Sequence, residues 1–224
     1  MNNYILNIET ATKSCSVALF KNENLIVFKE HASKEYSHSE TLSNYISNII
    51  KEAGIAFSDL TAVAVSMGPG SYTGLRIGVS TAKGLCYALN IPLISISTLQ
   101  AMAVGIVKDS NADLYCPMID ARRMEVYSAF YDSSNNIVRD VQADVVDEQT
   151  YKEQLEKNII FFGDGAEKLN DIIIHKNAKF VDGFFPSAIH MGGLAFNKFK
   201  QNNFEDVAYF EPYYLKDFVS GAKD

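Results

Sequence analysis

Ser66-Met67-Gly68-Pro69-Gly70-Ser71-Tyr72-Thr73-Gly74-Leu75-Arg76-Ile77-Gly78 is the most distinctive stretch of this 224-residue chain. It joins an apolar, buried-type strand, Ala62 to Met67, to a helix expected over Leu75 to Leu89, which Asn90 and Pro92 close. A glycine-rich passage into a helix N-terminus gathers free N–H groups at the positive end of the helix dipole, so an anion can sit there. Gly68, Gly70, Ser71 and Thr73 are the candidate contacts. The stretch is not a P-loop, because no Gly-Lys-Ser/Thr follows the glycines at the required spacing. It is a poor dinucleotide fingerprint too: Thr73 holds the third glycine position, and no acid ends the next strand, Leu93 to Ile96. Gly74, Gly78 and Ala82 recur every four residues and form one row of small side chains. Each helix-interior glycine costs about 1 kcal/mol relative to alanine. Close approach of another helix, from the same lobe or from a second subunit, is the simplest compensation.

Upstream of this stretch, Tyr4 to Ile8, Cys15 to Phe20 and Leu25 to Lys29 read as a three-stranded meander with a polar first turn, Glu9 to Ser14. A helix follows. Ser37-His38-Ser39-Glu40 fits a capping box, Leu42, Tyr45, Ile46, Ile49 and Ile50 recur at helical spacing, and Gly54 ends it. The first half therefore runs βββαβαβ. Downstream the layout starts again. Tyr115 to Ile119 leads into the turn Asp120-Ala121-Arg122-Arg123, then come Glu125 to Tyr131, an Asn-bearing turn and Ile137 to Val141. Ile159 to Phe162 reads as a strand, Ala166 to Ile174 as a helix, and Ser187 to Lys200 as a longer helix. This is self-similarity of pattern rather than identity. The expectation is an α/β chain of two lobes, residues 1–110 and 111–224. The layout resembles the actin-like, sugar kinase and Hsp70 superfold (ASKHA, ribonuclease H-like). In that superfold the first turn of each lobe approaches nucleotide phosphates and places an acid near a metal. Glu9, with Thr10 beside it, and Asp120 stand at those positions. Carboxylates are also ordinary turn residues.

Composition narrows the function classes. Hydrophobic residues make up 47% and charged residues 21%, which are globular values. The formal net charge is −7, with 27 acidic against 20 basic residues and no basic stripe, so gripping nucleic acid alone is disfavoured. Cys15, Cys86 and Cys116 are far apart and lack CxxC spacing, which reads as small buried hydrophobes in a reducing cytosol. The start of the chain shows no signal-peptide pattern and no segment of membrane-spanning length.

The motifs also carry a family resemblance. GPGSYTGLRIG (68–78), followed by Ala82-Lys83-Gly84-Leu85, resembles the signature of the TsaB proteins. ILNIETATKSCSVALF (5–20), SHSETL (37–42), DARRMEVY (120–127), GDGAEKL (163–169), PSA (186–188) and PYYLK (212–216) extend the likeness along the chain. Glu9 departs from it, since the family usually carries Asp there, and the extra methylene weakens a metal-anchoring role. The resemblance implies a non-catalytic partner subunit for threonylcarbamoyl modification of adenosine 37 in tRNAs that read ANN codons. Its partners would be the catalytic paralogue TsaD and the ATPase TsaE, with a homodimer when alone and tRNA met mainly through the complex. It implies no firmly bound cofactor, with ATP or ADP at the junction with partner subunits, a cytoplasmic location and no membrane. TsaD holds a metal through an HxxxH-type motif. Here His31, His38, His175 and His190 have no such spacing, so no metal site of that kind can be built locally. The partner face would comprise Ser37, His38, Leu42, Tyr45, Gly74, Arg76, Gly78 and Ala82. On that expectation Gly78→Leu breaks pairing without unfolding the chain.

Two other classes compete. A small-molecule kinase or ATPase of the same fold needs phosphate turns with glycine, which Glu9-Thr10-Ala11-Thr12 and Asp120-Ala121-Arg122-Arg123 lack. A glycoprotease-type hydrolase needs a serine with a base in reach, and Ser71 has neither a GxSxG elbow nor a histidine nearby in sequence.

Overall fold

Two three-stranded meanders, each extended by two parallel strands, form the two sheets of the protein. The computed structural model describes residues 2–32, 38–107 and 111–216. The first sheet holds β1 (Tyr4–Glu9), β2 (Ser14–Lys21), β3 (Asn24–Ala32), β4 (Leu60–Gly68) and β5 (Leu93–Ser97) in the order β3-β2-β1-β4-β5. The second holds β6 (Leu114–Asp120), β7 (Glu125–Tyr131), β8 (Ile137–Val145), β9 (Ile159–Phe162) and β10 (Ala178–Val181) in the order β10-β9-β6-β7-β8. Read from the meander's edge, both orders are 3-2-1-4-5. In both, the first three strands pair antiparallel and the last two join parallel. This duplicated topology is the two-lobed actin-like, ribonuclease H-like α/β fold. Even the tight turns repeat: Asn22 and Asn135 occupy the left-handed region at φ 56° and 62°, which asparagine tolerates better than most residues.

Parallel neighbours need crossovers, and helices supply them in the first lobe. α1 (His38–Glu52) joins β3 to β4, and α2 (Tyr72–Leu89) joins β4 to β5. Both cover one face of the first sheet. There Leu42, Ile46, Ile49, Val79 and Ala82 pack on Leu6, Ile8, Val17, Val63 and Val65. Each fully buried valine, leucine or isoleucine among them contributes about 2 kcal/mol of hydrophobic stabilisation. α3 (Thr98–Val107) lies between the lobes. Its Ala101 packs with the first sheet, and Leu99, Met102, Ala103 and Ile106 pack with Tyr115, Ile119, Tyr131 and Phe162 of the second. The other face of the first sheet is covered by α4 (Gly192–Lys200) and the 3-10 turn Ala188–Met191, through Ala188, Met191 and Ala195. The segment after β10 thus returns to the first sheet. All three cysteines are free and buried.

Some elements differ from the sequence expectations. α2 begins at Tyr72 rather than Leu75, because the Ser71 hydroxyl caps it by accepting the Gly74 N–H. No long helix forms over 166–174; only Glu167–Leu169 makes a 3-10 turn. The β-branched run Ile172-Ile173-Ile174 disfavours helix continuation, and Ile174 ends 83% exposed. The helix expected from Ser187 is split. Its 3-10 start gives way to α4 at Gly192, whose missing side chain admits the Phe20 ring. α3 and β10 were not anticipated. The capping box rests on Ser37, which lies outside the described residues.

Candidate functional site

The first turns of the two lobes face each other across a cleft of about 380 Å3. Ala11 and Thr12 come from the β1–β2 turn, Pro69 to Thr73 from the start of α2, and Asp120 to Arg122 from the β6–β7 turn. Ile119, Tyr127, Asp164 and residues Tyr213 to Lys216 complete the wall. Of the expected anion contacts, Gly70, Ser71, Thr73 and Asp120 line this cleft. Glu9, Thr10 and Gly68 do not; all three are buried beneath it.

Their burial has a local cause. The Glu9 carboxylate, 0% exposed, accepts the Ala11 N–H at 2.6 Å through Oε1 and so holds the β1–β2 turn. Burial pushes its pKa from the ordinary 4.5 up to about 7, although the Ala11 N–H, the Ser66 hydroxyl and the Thr10 N–H pull it down. The Thr10 hydroxyl donates to the Gly74 carbonyl at 2.8 Å, tying the turn to α2. The Ser71 N–H donates to the Ala11 carbonyl at 2.6 Å. A Cβ on Gly70 would stand 2.4 Å from that same carbonyl oxygen. Gly68 has φ +113°, and a Cβ there would stand 2.8 Å from the Tyr213 carbonyl oxygen. The glycines of the loop therefore admit the chain's own backbone.

The row of small residues on α2 has the same explanation, which corrects the sequence expectation. A Cβ on Gly74 would stand 2.1 Å from the Thr10 carbonyl oxygen, and one on Gly78 would stand 2.3 Å from the Thr10 hydroxyl. Ala82 sits in the core, as does Leu42, which is 1% exposed. Leu42, Gly74, Gly78 and Ala82 are thus covered by this chain's own first sheet and turn. What approaches the row is a β-turn rather than a helix. Tyr45 is half-buried against the same core. Arg76 is exposed, but its guanidinium lies 4.0 Å from the centre of the Tyr72 ring and donates to the Tyr72 and Tyr214 hydroxyls. Ser37 lies outside the described residues. His38 opens α1, and its side chain is not described.

The second lobe's turn is held by charge. Asp120 accepts the Arg122 N–H at 3.1 Å and pairs with Lys168. Lys168 also donates to the Arg123 and Glu125 carbonyls at 2.7 Å each. These bonds fix Arg122 and Arg123 in the left-handed region, at φ 72° and 50°. Asp164 accepts the Asp120 N–H at 3.1 Å. Burial raises the Asp164 pKa, the Asp120 N–H opposes this, and the Asp120 charge adds to it. Asp164, Tyr127 and the tyrosines of the 213–216 segment were not anticipated as cleft residues. The motifs GDGAEKL (163–169), DARRMEVY (120–127) and PYYLK (212–216) contain them, but nothing in those motifs places them at the cleft. Among the described residues, no group of three or more His, Cys, Asp or Glu side chains could hold a metal ion. No helix among them is long and apolar enough to cross a membrane.

The family model described as "TsaD: tRNA N6-adenosine threonylcarbamoyltransferase" matches residues 29–219. The tRNA threonylcarbamoyladenosine biosynthesis protein TsaB of Escherichia coli is 31% identical over 226 residues, covering 98% of this chain and 97% of that protein. The Bacillus subtilis protein of the same name is 30% identical, covering 77% of this chain and 73% of its own length. The solved structure of YeaZ from Pseudomonas aeruginosa shares the fold, with a TM-score of 0.79 at 24% identity over 95% of this chain and all of that one. On the strength of relatives aligned along nearly its whole length, this chain belongs to the TsaB family of tRNA threonylcarbamoyladenosine biosynthesis proteins.

Proposed function

We propose that this chain is a non-catalytic partner subunit in tRNA threonylcarbamoyladenosine biosynthesis, pairing with a TsaD relative and, through that pair, with TsaE. The observation that carries the reading is the state of the first phosphate-type turn. A nucleotide there would need free backbone N–H groups and an ionised acid. Instead the Ala11 N–H is taken by Glu9, the Ser71 N–H is taken by Ala11, and the Tyr213 carbonyl lies against Gly68. The same occupancy weighs against a kinase or ATPase of this fold. A hydrolase is weighed against by Ser71, whose hydroxyl caps α2, and by the lack of a histidine among the described residues lining the cleft. With a net charge of −7, the chain meets tRNA mainly through its partners in the cytoplasm. Reconstitution tests the reading. Threonylcarbamoyl transfer to tRNA by the TsaD and TsaE counterparts is expected only when this chain is added. Equal transfer without it would overturn the proposal.

Since the inner row of α2 is used internally, the pairing face is assigned to the outer surfaces of α1 and α2, which pack side by side. Ser80, Gly84 and Tyr87 line α2's outer side; a Cβ on Gly84 would meet nothing within 4 Å, and Tyr87 is 85% exposed. Alone, the chain would pair with itself through this face. Gly84→Arg should raise the chain's own stability by about 1 kcal/mol through helix propensity. It should also weaken association with TsaD at least tenfold in titration calorimetry. Unchanged affinity would remove Gly84 from the interface.

A further inference from the structure

The segment from Glu205 to Lys216 is bound unequally at its two ends. Near its start, the Glu205 N–H donates to the Leu93 carbonyl at 2.9 Å, and the Ser95 hydroxyl donates to the Glu205 carboxylate at 2.5 Å. Lys83 of α2 then donates to the Ala208 and Phe210 carbonyls at 3.1 and 2.9 Å, while Val207 and Phe210 pack on the first lobe's core. The Tyr213 N–H donates to the Met67 carbonyl at 2.7 Å. The Tyr214 ring lies 4.8 Å from that of Tyr72, and its hydroxyl accepts from Arg76 at 3.2 Å. All of these anchors belong to the first lobe. At the far end Lys216 reaches the second lobe and pairs with Glu125 at the start of β7. Between those points Tyr213 to Lys216 form one wall of the interlobe cleft.

The geometry points to a latch: residues 213–216 are an arm of the first lobe that holds the cleft closed by gripping the second lobe through one ion pair. The asymmetry makes it releasable. The first-lobe end is held by backbone hydrogen bonds and partly buried aromatic and aliphatic contacts. The second-lobe end is held by a pair whose lysine is half-exposed, and such a pair biases an equilibrium by about fivefold at most. Salt, or a partner that takes up Glu125 or Lys216, would free the second lobe without detaching the arm. The inference goes beyond the proposed function and does not depend on it, because it concerns the motion of this chain alone.

The test uses spin labels on the full chain at two exposed positions, Ser47→Cys on α1 and Lys176→Cys in the second lobe, read by pulsed dipolar distance measurement. Lys216→Glu is expected to raise the long-distance population about threefold to fivefold. The swapped pair Lys216→Glu/Glu125→Lys should return it to the wild-type distribution, and 1 M salt should reproduce the Lys216→Glu result on the unswapped chain. Hydrogen exchange at the Tyr213 amide should stay slow in every variant, because the first-lobe anchors remain. A Lys216→Glu distribution identical to wild type, or a swap that fails to restore it, would overturn the latch. So would loss of Tyr213 protection at an unchanged interlobe distance, which would make the segment a cover for α2 only. Lys216→Ala gives the same reading should charge reversal impair folding.

Discussion

Gly74→Ala is expected to destabilise the chain by about 3 kcal/mol and Gly78→Ala by about 2 kcal/mol, on the scale of overpacked cores. The sequence alone pointed the other way, to a glycine row that could be filled without unfolding the chain. In an exposed helix the same changes would stabilise by close to 1 kcal/mol. The sign reverses because the β1–β2 turn is pressed into the row. At Gly74 the obstacle is the Thr10 carbonyl oxygen, 2.1 Å from the new Cβ, and backbone cannot rotate away. At Gly78 it is the Thr10 hydroxyl, 2.3 Å away, with the rest of Thr10 no nearer than 3.5 Å. Removing that one oxygen should therefore relieve Gly78→Ala and leave Gly74→Ala uncorrected. Thr10→Ala alone forfeits the hydrogen bond to the Gly74 carbonyl, worth about 1 kcal/mol. The double variant Thr10→Ala/Gly78→Ala should then be more stable than the sum of its parts by 1–2 kcal/mol, the scale of coupling between touching residues. Urea denaturation of the four proteins measures this, with the slope as a check that the transition stays two-state. Additive losses would mean that α2 simply lifts away from the turn, and that the turn does not hold it.

The same residues show what sequence reading can and cannot reach. The duplicated meander was legible because strand alternation and Asn-bearing turns are local signals, and Asn22 and Asn135 fill equivalent left-handed positions. The row Gly74, Gly78, Ala82 was legible as close packing, but spacing does not say what arrives, and a turn satisfies it as well as a helix. α3 was missed because Leu99, Ala101, Met102, Ala103 and Ile106 are buried on both sides of it, which erases the amphipathic period. The helix expected at 166–174 fails where Ile172, Ile173 and Ile174, three successive β-branched residues, disfavour it. At the cleft, Glu9 and Asp120 were placed at the right turns, but their exposure was not legible. Burial of Glu9 depends on contacts with strands far along the chain. The arm over the cleft was invisible for the same reason: Arg76 and Tyr214 are 138 positions apart.

Glu9→Gln is expected to make the protein more stable at pH 8 by about 3 kcal/mol and to flatten its pH dependence between pH 4.5 and 7. The wild-type carboxyl is fully buried. Oε1 is satisfied by the Ala11 N–H, and Oε2 has no hydrogen-bond partner within the protein. Two residues earlier on the same face of β1, the Asn7 amide is buried without a protein partner as well. Folding thus places Glu9 where charge is poorly solvated, and its pKa rises from 4.5 to about 7. Below pH 4.5 both folded and unfolded chains hold the proton, and the group costs nothing. Between 4.5 and 7 the unfolded chain releases the proton while the folded chain keeps it, so stability falls by about 1.4 kcal/mol per pH unit, and the loss is complete above 7. Asp132, Asp144 and Asp147 have lowered pKa values, so they lose stability towards acid and slope the opposite way. The difference between variant and wild type cancels them and isolates position 9. Glutamine keeps the acceptor for Ala11 and removes the charge, so chemical denaturation at pH 4, 6 and 8 should show the two proteins converging in acid and separating above it. A variant less stable than wild type at pH 8 would mean that Glu9 is ionised and held by a positive partner, the arrangement a nucleotide–metal site requires. A variant more stable there would place Glu9 as a buried acid that pins a turn and whose charge the fold solvates poorly.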